Sequence, residues 1–275
     1  MTPAITLNDG STLPRIGLGT VQADGEDMAS TVTSALDAGY RLIDTALSYG
    51  TEGGVGRAVA ASEIARENIS ITTKIPGRFH GYEQAKESVR ISLTELGVDY
   101  IDLLLIHWPL PRMGKYVDTW RAMIDLQRDG VVKSIGVSNF TAEHLDHLAA
   151  ETSVVPAVNQ IELHPYFPQH ELREYHQNNE IVTESWSPLG RGSELMQATP
   201  ITDAAAAHGV TPGQVILRWQ VQLGAVPLPK SSDPGRQRQN LDVFGFELGD
   251  SEVAAISGLE RGRIWDQDPD VYEEF

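Results

Sequence analysis

Four side chains able to handle protons stand at or just beyond the ends of three β-rich runs in the first half of the chain. Asp44, Lys74 and His107 each lie near the end of one run, and Tyr49 follows Asp44 in the next loop. An ammonium beside a phenol lowers a pKa that starts at about 10, and a carboxylate holds the ammonium in place. Such a phenol can donate a proton to an oxygen near neutral pH, and an imidazole on the next strand can orient that oxygen. The set predicts the proton-donating half of a carbonyl reduction, with hydride supplied to carbon from elsewhere.

Each of these side chains also has an ordinary structural explanation. Asp44 could cap a helix, Tyr49 could pack half-buried in its loop, and Lys74 could simply be solvated. His107 could be a core histidine whose hydrogen bonds are satisfied. A different chemistry is open as well, because Lys74 and Lys230 both end predicted strands and either could form the Schiff base of an aldolase. The presence of all four at one edge favours the proton-transfer set.

A second candidate site follows the last β-rich run, in residues 228–240. This segment carries the cations Lys230, Arg236 and Arg238 against the single carboxylate of Asp233. Cations and hydroxyls at the start of a helix suit a phosphate dianion, because the N-terminal amides of the helix also point toward the anion. The alternative is a solvated helix start without a ligand.

These side chains need a scaffold that brings strand ends together. Eight β-rich runs alternate with stretches of helical spacing, at residues 16–20, 40–45, 69–75, 100–108, 134–140, 157–163, 181–187 and 225–230. Eight such units in 275 residues predict an α/β fold, the (β/α)8 TIM barrel, whose catalytic residues lie at the carboxyl ends of the strands. The alternative is an open doubly wound sheet, but its G-x-G-x-x-G nucleotide motif is missing.

Helices are expected between these runs, at residues 27–38, 82–96, 116–129, 141–150, 171–179, 201–208 and 211–222. Thr141 is a suitable N-cap, and Pro212 suits the first position of the helix that Thr211 opens. Before the first run, residues 5–7 and 13–16 flank a turn-rich tip and predict a small β-hairpin. A single barrel domain over residues 1–275 is expected, with this hairpin before it and a short C-terminal tail after it.

Composition excludes several classes of protein. The chain has 21 Lys+Arg against 38 Asp+Glu, a net charge of −17, and no cysteine. The lack of cysteine excludes disulfides, thiolate nucleophiles and cysteine-bound zinc. His144 and His147 have no third ligand at a suitable spacing, so no metal is predicted. The acidic balance disfavours nucleic acid and anionic membranes, and no secretory or membrane-spanning pattern is visible, so a cytoplasmic protein is expected.

Five sequence blocks, in order, resemble the aldo-keto reductase family over nearly the whole chain. They are GYRLIDTA at residues 39–46, YIDLLLIHWP at 100–109, SIGVSNF at 134–140, PAVNQIELHP at 156–165 and PKS at 229–231. Within the family, the chain is most similar to bacterial reductases of the diketogluconate reductase type. The resemblance implies a barrel that binds NADPH without a Rossmann motif and reduces an aldehyde or ketone to an alcohol. A barrel that binds NADPH as a redox sensor or partner subunit, with little turnover, is the alternative.

The resemblance also implies roles for individual residues. Tyr49 would be the general acid, Lys74 and Asp44 would tune it, and His107 would orient the carbonyl. Cofactor contacts are expected from Thr20, Asp44, Ser138, Asn139, Gln160, Trp186, Ser187, Leu189, Gly190, Leu228, Lys230, Ser231, Ser232, Arg236, Gln239 and Asn240. Substrate contacts are expected from Val21, Tyr49, His107, Trp108 and Trp265. The partner is expected to be a small carbonyl compound, and the protein a monomer.

Overall fold

The structure of this protein, a computed structural model, describes residues 2–21 and 27–274. The strands in these ranges are β1 (Ala4–Thr6), β2 (Thr12–Pro14), β3 (Leu18–Gly19), β4 (Leu42–Asp44), β5 (Ser70–Ile75), β6 (Ile101–Ile106), β7 (Val132–Ser138), β8 (Val158–Glu162), β9 (Val182–Trp186) and β10 (Val226–Pro227). The α-helices are α1 (Met28–Ala38), α2 (Glu52–Ala61), α3 (Tyr82–Leu96), α4 (Tyr116–Arg128), α5 (Ala142–Thr152), α6 (His170–Asn178), α7 (Thr199–His208), α8 (Pro212–Gln222), α9 (Pro234–Leu241) and α10 (Asp250–Ser257). Short 3-10 turns occupy Leu47–Tyr49, Arg66–Asn68, Gly77–Phe79 and Glu194–Gln197.

Strands β3 to β10 form one parallel sheet in chain order. The sheet curls until its two edge strands meet, where the amides of Gly17 and Gly19 donate to the carbonyls of Pro227 and Pro229 at 3.1 and 3.2 Å. We call this join between the first and last strands the seam. Glycine is favoured there, because a Cβ on Gly19 would lie 2.9 Å from the backbone carbonyl oxygen of Leu228. The predicted (β/α)8 barrel is confirmed.

The N-terminal hairpin closes the barrel at the end where the strands begin. Strands β1 and β2 pair antiparallel, as predicted. Leu7 and Leu13 of the hairpin are buried and belong to the same apolar cluster as Leu103 inside the barrel. At the tip, Asp9 accepts a hydrogen bond of 2.7 Å from the hydroxyl of Ser134 in β7. The opposite end, where the strands finish, is left for the polar side chains.

The helices pack around the barrel and bury a second, larger apolar layer against the outside of the strands. Their starts follow the expected chemistry: Thr141 and Thr211 each cap a helix with a capping box. Helix α2 was not expected, because three of its first five residues are glycine. Helix α10 was not expected either. No helix in the described ranges is long and apolar enough to cross a membrane.

Candidate active site

An ion pair lies at the centre of the barrel mouth. Asp44 ends β4 and Lys74 lies one residue before the end of β5, so the two side chains meet across adjacent strands. The Lys74 ammonium donates to Oδ1 of Asp44 at 2.7 Å and to the carbonyl of Thr45 at 2.9 Å, and it is fully buried. Burial alone would lower the pKa of Lys74, but the neighbouring acidic groups, Asp44 foremost with Tyr49 and Glu184, together outweigh it, so the net pKa lies above its usual value. Lys74 is therefore a fixed cation.

Tyr49 reaches this pair from the 3-10 turn Leu47–Tyr49, which Gly50 ends in the left-handed conformation with φ 66°. The Lys74 Nζ lies 5.1 Å from the centroid of the Tyr49 ring. His107, just after β6, places its Nε2 3.5 Å from the Tyr49 hydroxyl. The two atoms are close enough for one oxygen, placed to one side of them, to lie within hydrogen-bond distance of both. The structure thus brings together all four residues of the predicted catalytic set.

The expected lowering of the Tyr49 pKa is wrong. Burial of the phenol raises its pKa, and Lys74 opposes this rise without overcoming it. The carboxylates of Asp44 and Glu274 push in the same direction as burial, since each repels a phenolate. Tyr49 therefore keeps its proton near neutral pH, which is the state a proton donor needs.

Beside this set lies a flat polar shelf formed by residues from β7, β8 and β9. The Ser138 hydroxyl donates to the Gln160 carbonyl at 2.9 Å, and the Asn139 amide donates to the Ser138 hydroxyl at 3.0 Å and to the His107 carbonyl at 3.0 Å. The indole of Trp186 donates to Oδ1 of Asn139 at 2.7 Å. These bonds hold the Trp186 ring rigidly at the rim of the barrel, where it is partly exposed and able to stack.

Gln160 links the shelf to the ion pair and shows how a cofactor would fit. Its amide nitrogen donates to Oδ2 of Asp44 at 2.8 Å and to Glu184 at 2.9 Å, so both amide hydrogens are used. Burial raises the pKa of Glu184 to about 8, and the nearby Asp44 carboxylate adds to the rise. The Gln160 side-chain oxygen stays available as an acceptor, which matches the N–H donors of a carboxamide such as that of nicotinamide.

The predicted phosphate segment lies at the start of α9, next to the seam. Asp233 caps this helix by accepting from the amide of Arg236 at 2.7 Å. The Gln237 amide donates to the Ser231 carbonyl at 2.9 Å and shapes the loop before the helix. Arg236 is exposed and Lys230 is partly exposed, so two cations face the solvent at a helix N-terminus. This is the arrangement that an anion favours.

The remaining predicted contact residues lie around the same mouth. Thr20 is buried and donates to the Asp44 carbonyl at 2.9 Å. The other cofactor candidates differ in exposure: the buried ones are Gly190, Leu228 and Asn240, the partly exposed ones Ser187 and Leu189, and the exposed ones Ser232 and Gln239. Of the predicted substrate residues, Val21 is 45% exposed. The Trp108 ring contacts Tyr272 of the C-terminal tail in a tilted arrangement, with ring centroids 4.4 Å apart. The Arg191 guanidinium lies over the Trp265 ring, 4.6 Å from its centroid.

The two helical histidines singled out in the sequence have structural partners. His144 completes the capping box of α5 with Thr141, and His147 contacts the hydroxyl of Tyr116 at 2.5 Å. In the described part of the chain, no three His, Cys, Asp or Glu side chains are grouped closely enough to hold a metal ion.

Two carboxyl groups at the site escaped the sequence reasoning. Glu184 lies inside a strand, and nothing in the local sequence separates an inward-facing glutamate from a solvated one. Glu274 lies far along the chain in the tail, yet its carboxylate is 2.6 Å from Nδ1 of His107. No motif surrounds Glu274, so only the folded path of the tail reveals this contact.

Comparison with known proteins identifies the family to which the chain is similar. The family model described as Aldo/keto reductase family matches residues 15–261. The chain is 56% identical over 273 residues to 2,5-diketo-D-gluconic acid reductase B of Corynebacterium sp. (strain SHS752001), covering 99% of each chain.

Two similar solved structures contain the cofactor. The chain resembles a variant of Gox0644 in complex with NADPH at 42% identity and a TM-score of 0.94, covering 99% of each chain. It resembles the Bombyx mori aldo-keto reductase in complex with NADP at 34% identity and a TM-score of 0.92, covering 100% of this chain and 98% of the other.

Proposed function

The chain belongs to the aldo/keto reductase family, and from this premise we propose that Tyr49 donates the proton in its reaction. The protein is an NADP-dependent oxidoreductase that reduces the carbonyl of an aldehyde or ketone to an alcohol. When bound, NADPH supplies a hydride to the carbonyl carbon. The chain itself must then hold the substrate oxygen and deliver one proton to it.

The convergence of the Tyr49 hydroxyl and the His107 Nε2, 3.5 Å apart, carries this proposal. A carbonyl oxygen placed to one side of this pair, within hydrogen-bond distance of both atoms, accepts hydrogen bonds from both groups, which stabilises the negative charge that develops there. The proton moves from the Tyr49 hydroxyl to this oxygen, and the O–H bond of the phenol breaks. The phenolate that remains is stabilised by Lys74, whose position Asp44 fixes.

We propose that the remaining predicted residues bind the cofactor as the resemblance implies. Ser138, Asn139 and Gln160 would hold the carboxamide, Trp186 would stack on the ring, and Arg236 would bind the 2′-phosphate of NADPH. The available oxygen of Gln160 and the exposed cations at α9 support this assignment.

For the substrate, we propose a keto acid of a sugar. The named activity of the Corynebacterium relative, which is 56% identical over nearly the full chain, supports this class. We also propose that the protein acts as a monomer in the cytoplasm and does not bind nucleic acid. The net charge of −17 supports the last point.

The aldolase alternative conflicts with the state of Lys74. A Schiff base needs a neutral amine as nucleophile. The Lys74 ammonium instead donates to Asp44 and Thr45, and its pKa is raised. Lys74 is therefore suited to stabilise an anion and unsuited to attack a carbonyl.

The test is a panel of aldehydes, sugar keto acids and diketones, followed by the loss of NADPH absorbance. We expect turnover with wild-type protein, and a loss of roughly 10²-fold or more in kcat for Tyr49→Phe, the scale of general acid catalysis. The dissociation constant for NADPH should change little, because the variant removes only the hydroxyl. Turnover by the variant close to the wild-type rate would refute Tyr49 as the proton donor, and binding of NADPH without turnover of any carbonyl would favour the sensor alternative.

A further inference from the structure

The C-terminal tail reaches back into the candidate active site, where Glu274 contacts the imidazole of His107. The Tyr272 ring packs in a tilted arrangement against Trp108, the residue after His107, with ring centroids 4.4 Å apart. Two residues later, Oε1 of Glu274 lies 2.6 Å from Nδ1 of His107. The other carboxylate oxygen accepts from the amide of Gly77 at 3.2 Å, and the Glu274 side chain is only 16% exposed.

Gly77 shows that this path of the tail is tightly fitted. A Cβ at Gly77 would lie 2.7 Å from the Glu274 backbone carbonyl and 2.3 Å from the Leu110 side chain. The backbone φ of Gly77 is not in the left-handed region, so its lack of a side chain serves close approach and not conformational freedom. The loop after β5 is thus shaped to receive Glu274.

The contact fixes where the protons of His107 must be. An ionised carboxylate only accepts hydrogen bonds, so Nδ1 has to carry a proton toward Glu274. A neutral imidazole has one N–H, and its Nε2 would then present a lone pair to the substrate oxygen. To donate from Nε2 as well, the ring needs its second proton, and the Glu274 carboxylate 2.6 Å away is placed to pair with the positive charge that this proton brings.

We propose that Glu274 is a positioning residue that keeps His107 oriented and doubly protonated, so that Nε2 donates to the carbonyl oxygen. This inference rests on the proposed role of His107 in carbonyl reduction. Glu274 itself touches neither substrate nor cofactor in this scheme. Its carboxylate compensates the positive charge on the ring and leaves the Nε2–H free for the reaction.

The other charged groups near His107 do not replace Glu274. Lys74 and Asp44 form their own pair, and Tyr49 remains neutral because burial raises its pKa. Burial lowers the pKa of His80 to about 4, so this neighbour is uncharged at neutral pH, and Lys115 pushes the His80 pKa further down.

Glu274 itself is ionised. Burial raises the pKa of Glu274, but the hydrogen bond and charge of His107 outweigh burial, and the net pKa lies below its usual value. The backbone amide of Gly77 and the hydroxyl of Ser48 act in the same direction as His107. Glu274 is therefore the carboxylate that faces the imidazole across the whole neutral range.

The test compares Glu274→Gln with Glu273→Gln. Both variants remove one negative charge from the same segment, but Glu273 lies 3.9 Å from the exposed Arg112 and away from the imidazole. For Glu274→Gln we expect kcat for aldehyde reduction to fall about tenfold or more at neutral pH, with the alkaline limb of the pH profile moved to lower pH. NADPH affinity should stay unchanged, and Glu273→Gln should match the wild type.

A spectroscopic measurement separates this effect from changes at Tyr49, which Glu274 also influences by repulsion. Long-range proton–nitrogen NMR of the wild type at neutral pH should show both nitrogens of His107 protonated, and one of them protonated in Glu274→Gln. This readout needs no turnover, so it stands even if the proposed reaction fails. Singly protonated His107 in the wild type would overturn the proposal, as would equal losses in both variants or a rise in KM alone.

Discussion

At the scale of single residues, the site depends on which side chains keep their protons. Tyr49 and Lys74 both have raised pKa values, one because burial disfavours a phenolate and the other because Asp44 attracts an ammonium. The sequence predicted that both residues lie at or just beyond the carboxyl ends of the strands, where the structure also has them. It could not predict the direction of the Tyr49 pKa shift, since burial depends on everything that packs around the hydroxyl.

A prediction at this scale concerns the 2′-phosphate of the cofactor. Arg236→Ala should weaken NADPH binding roughly tenfold or more and leave NADH binding almost unchanged, because only NADPH carries that phosphate. Arg238→Ala is the matched control, since Arg238 is a cation of the same helix that lines a groove with α1 and α2. Fluorescence titration of the wild type and both variants with NADPH and with NADH measures these affinities. Equal losses for NADPH and NADH would remove Arg236 from the phosphate site.

A second prediction uses the buried carboxyl of Glu184. Its pKa rises from 4.5 to about 8 on folding, so between these values the folded protein holds a proton that the unfolded chain has released. By linkage, this group makes wild-type stability fall as pH rises through that window. The free energy of unfolding of Glu184→Gln, which cannot titrate there, should therefore improve relative to wild type as pH rises from about 5 to about 8.

Urea unfolding at several pH values in this window measures the Glu184 effect, which we expect to reach a few kcal/mol at most. Glu174→Gln is the control, because Glu174 is exposed and its removal should leave the pH dependence unaltered. A stability difference that stays constant with pH for Glu184→Gln would show that this carboxyl is ionised in the folded protein.

At the scale of elements, strands and most helices were visible in the sequence, and the exceptions have a physical cause. Helix α3 has the predicted bounds. Most strands are shorter than their β-rich runs, whereas β7 is as long as its run and begins and ends two residues earlier. Helix α2 was not predicted, because three of its first five residues are glycine and glycine lowers helix propensity. The structure shows that Gly56 lets α2 approach the end of α3 closely.

A third prediction separates these glycines. A Cβ on Gly56 would lie 2.2 Å from the Leu96 carbonyl, whereas on Gly53 the nearest atom is a flexible Glu95 oxygen at 3.4 Å. Gly56→Ala should destabilise the protein by about 1–3 kcal/mol through overpacking. Gly53→Ala should be neutral or stabilise it by up to about 1 kcal/mol through helix propensity. Chemical denaturation tests both, and equal tolerance would mean that α2 and α3 can move apart at little cost.

At the scale of the whole molecule, the alternation of β-rich runs and helices predicted the barrel. The rule that strand ends carry chemistry predicted which edge of it holds the candidate catalytic residues. The rule fails for groups that reach the mouth by another route. Glu184 arrives from within a strand, and Glu274 arrives from the tail after α10. Both contacts depend on the closed barrel and cannot be derived from any one segment.

The seam has a consequence for folding during synthesis on the ribosome. The amides of Gly17 and Gly19 can form their hydrogen bonds only when Pro227 and Pro229 are present, and the ribosome adds these residues after nearly all of the barrel has been synthesised. Until then, the edges of β3 and β9 have no neighbour, and such unpaired edges invite association with other chains. Nascent chains stalled before Pro227 clears the exit tunnel should be digested readily by protease, and chains stalled well beyond it should resist. If both resist alike, an open sheet is already stable and closure adds little.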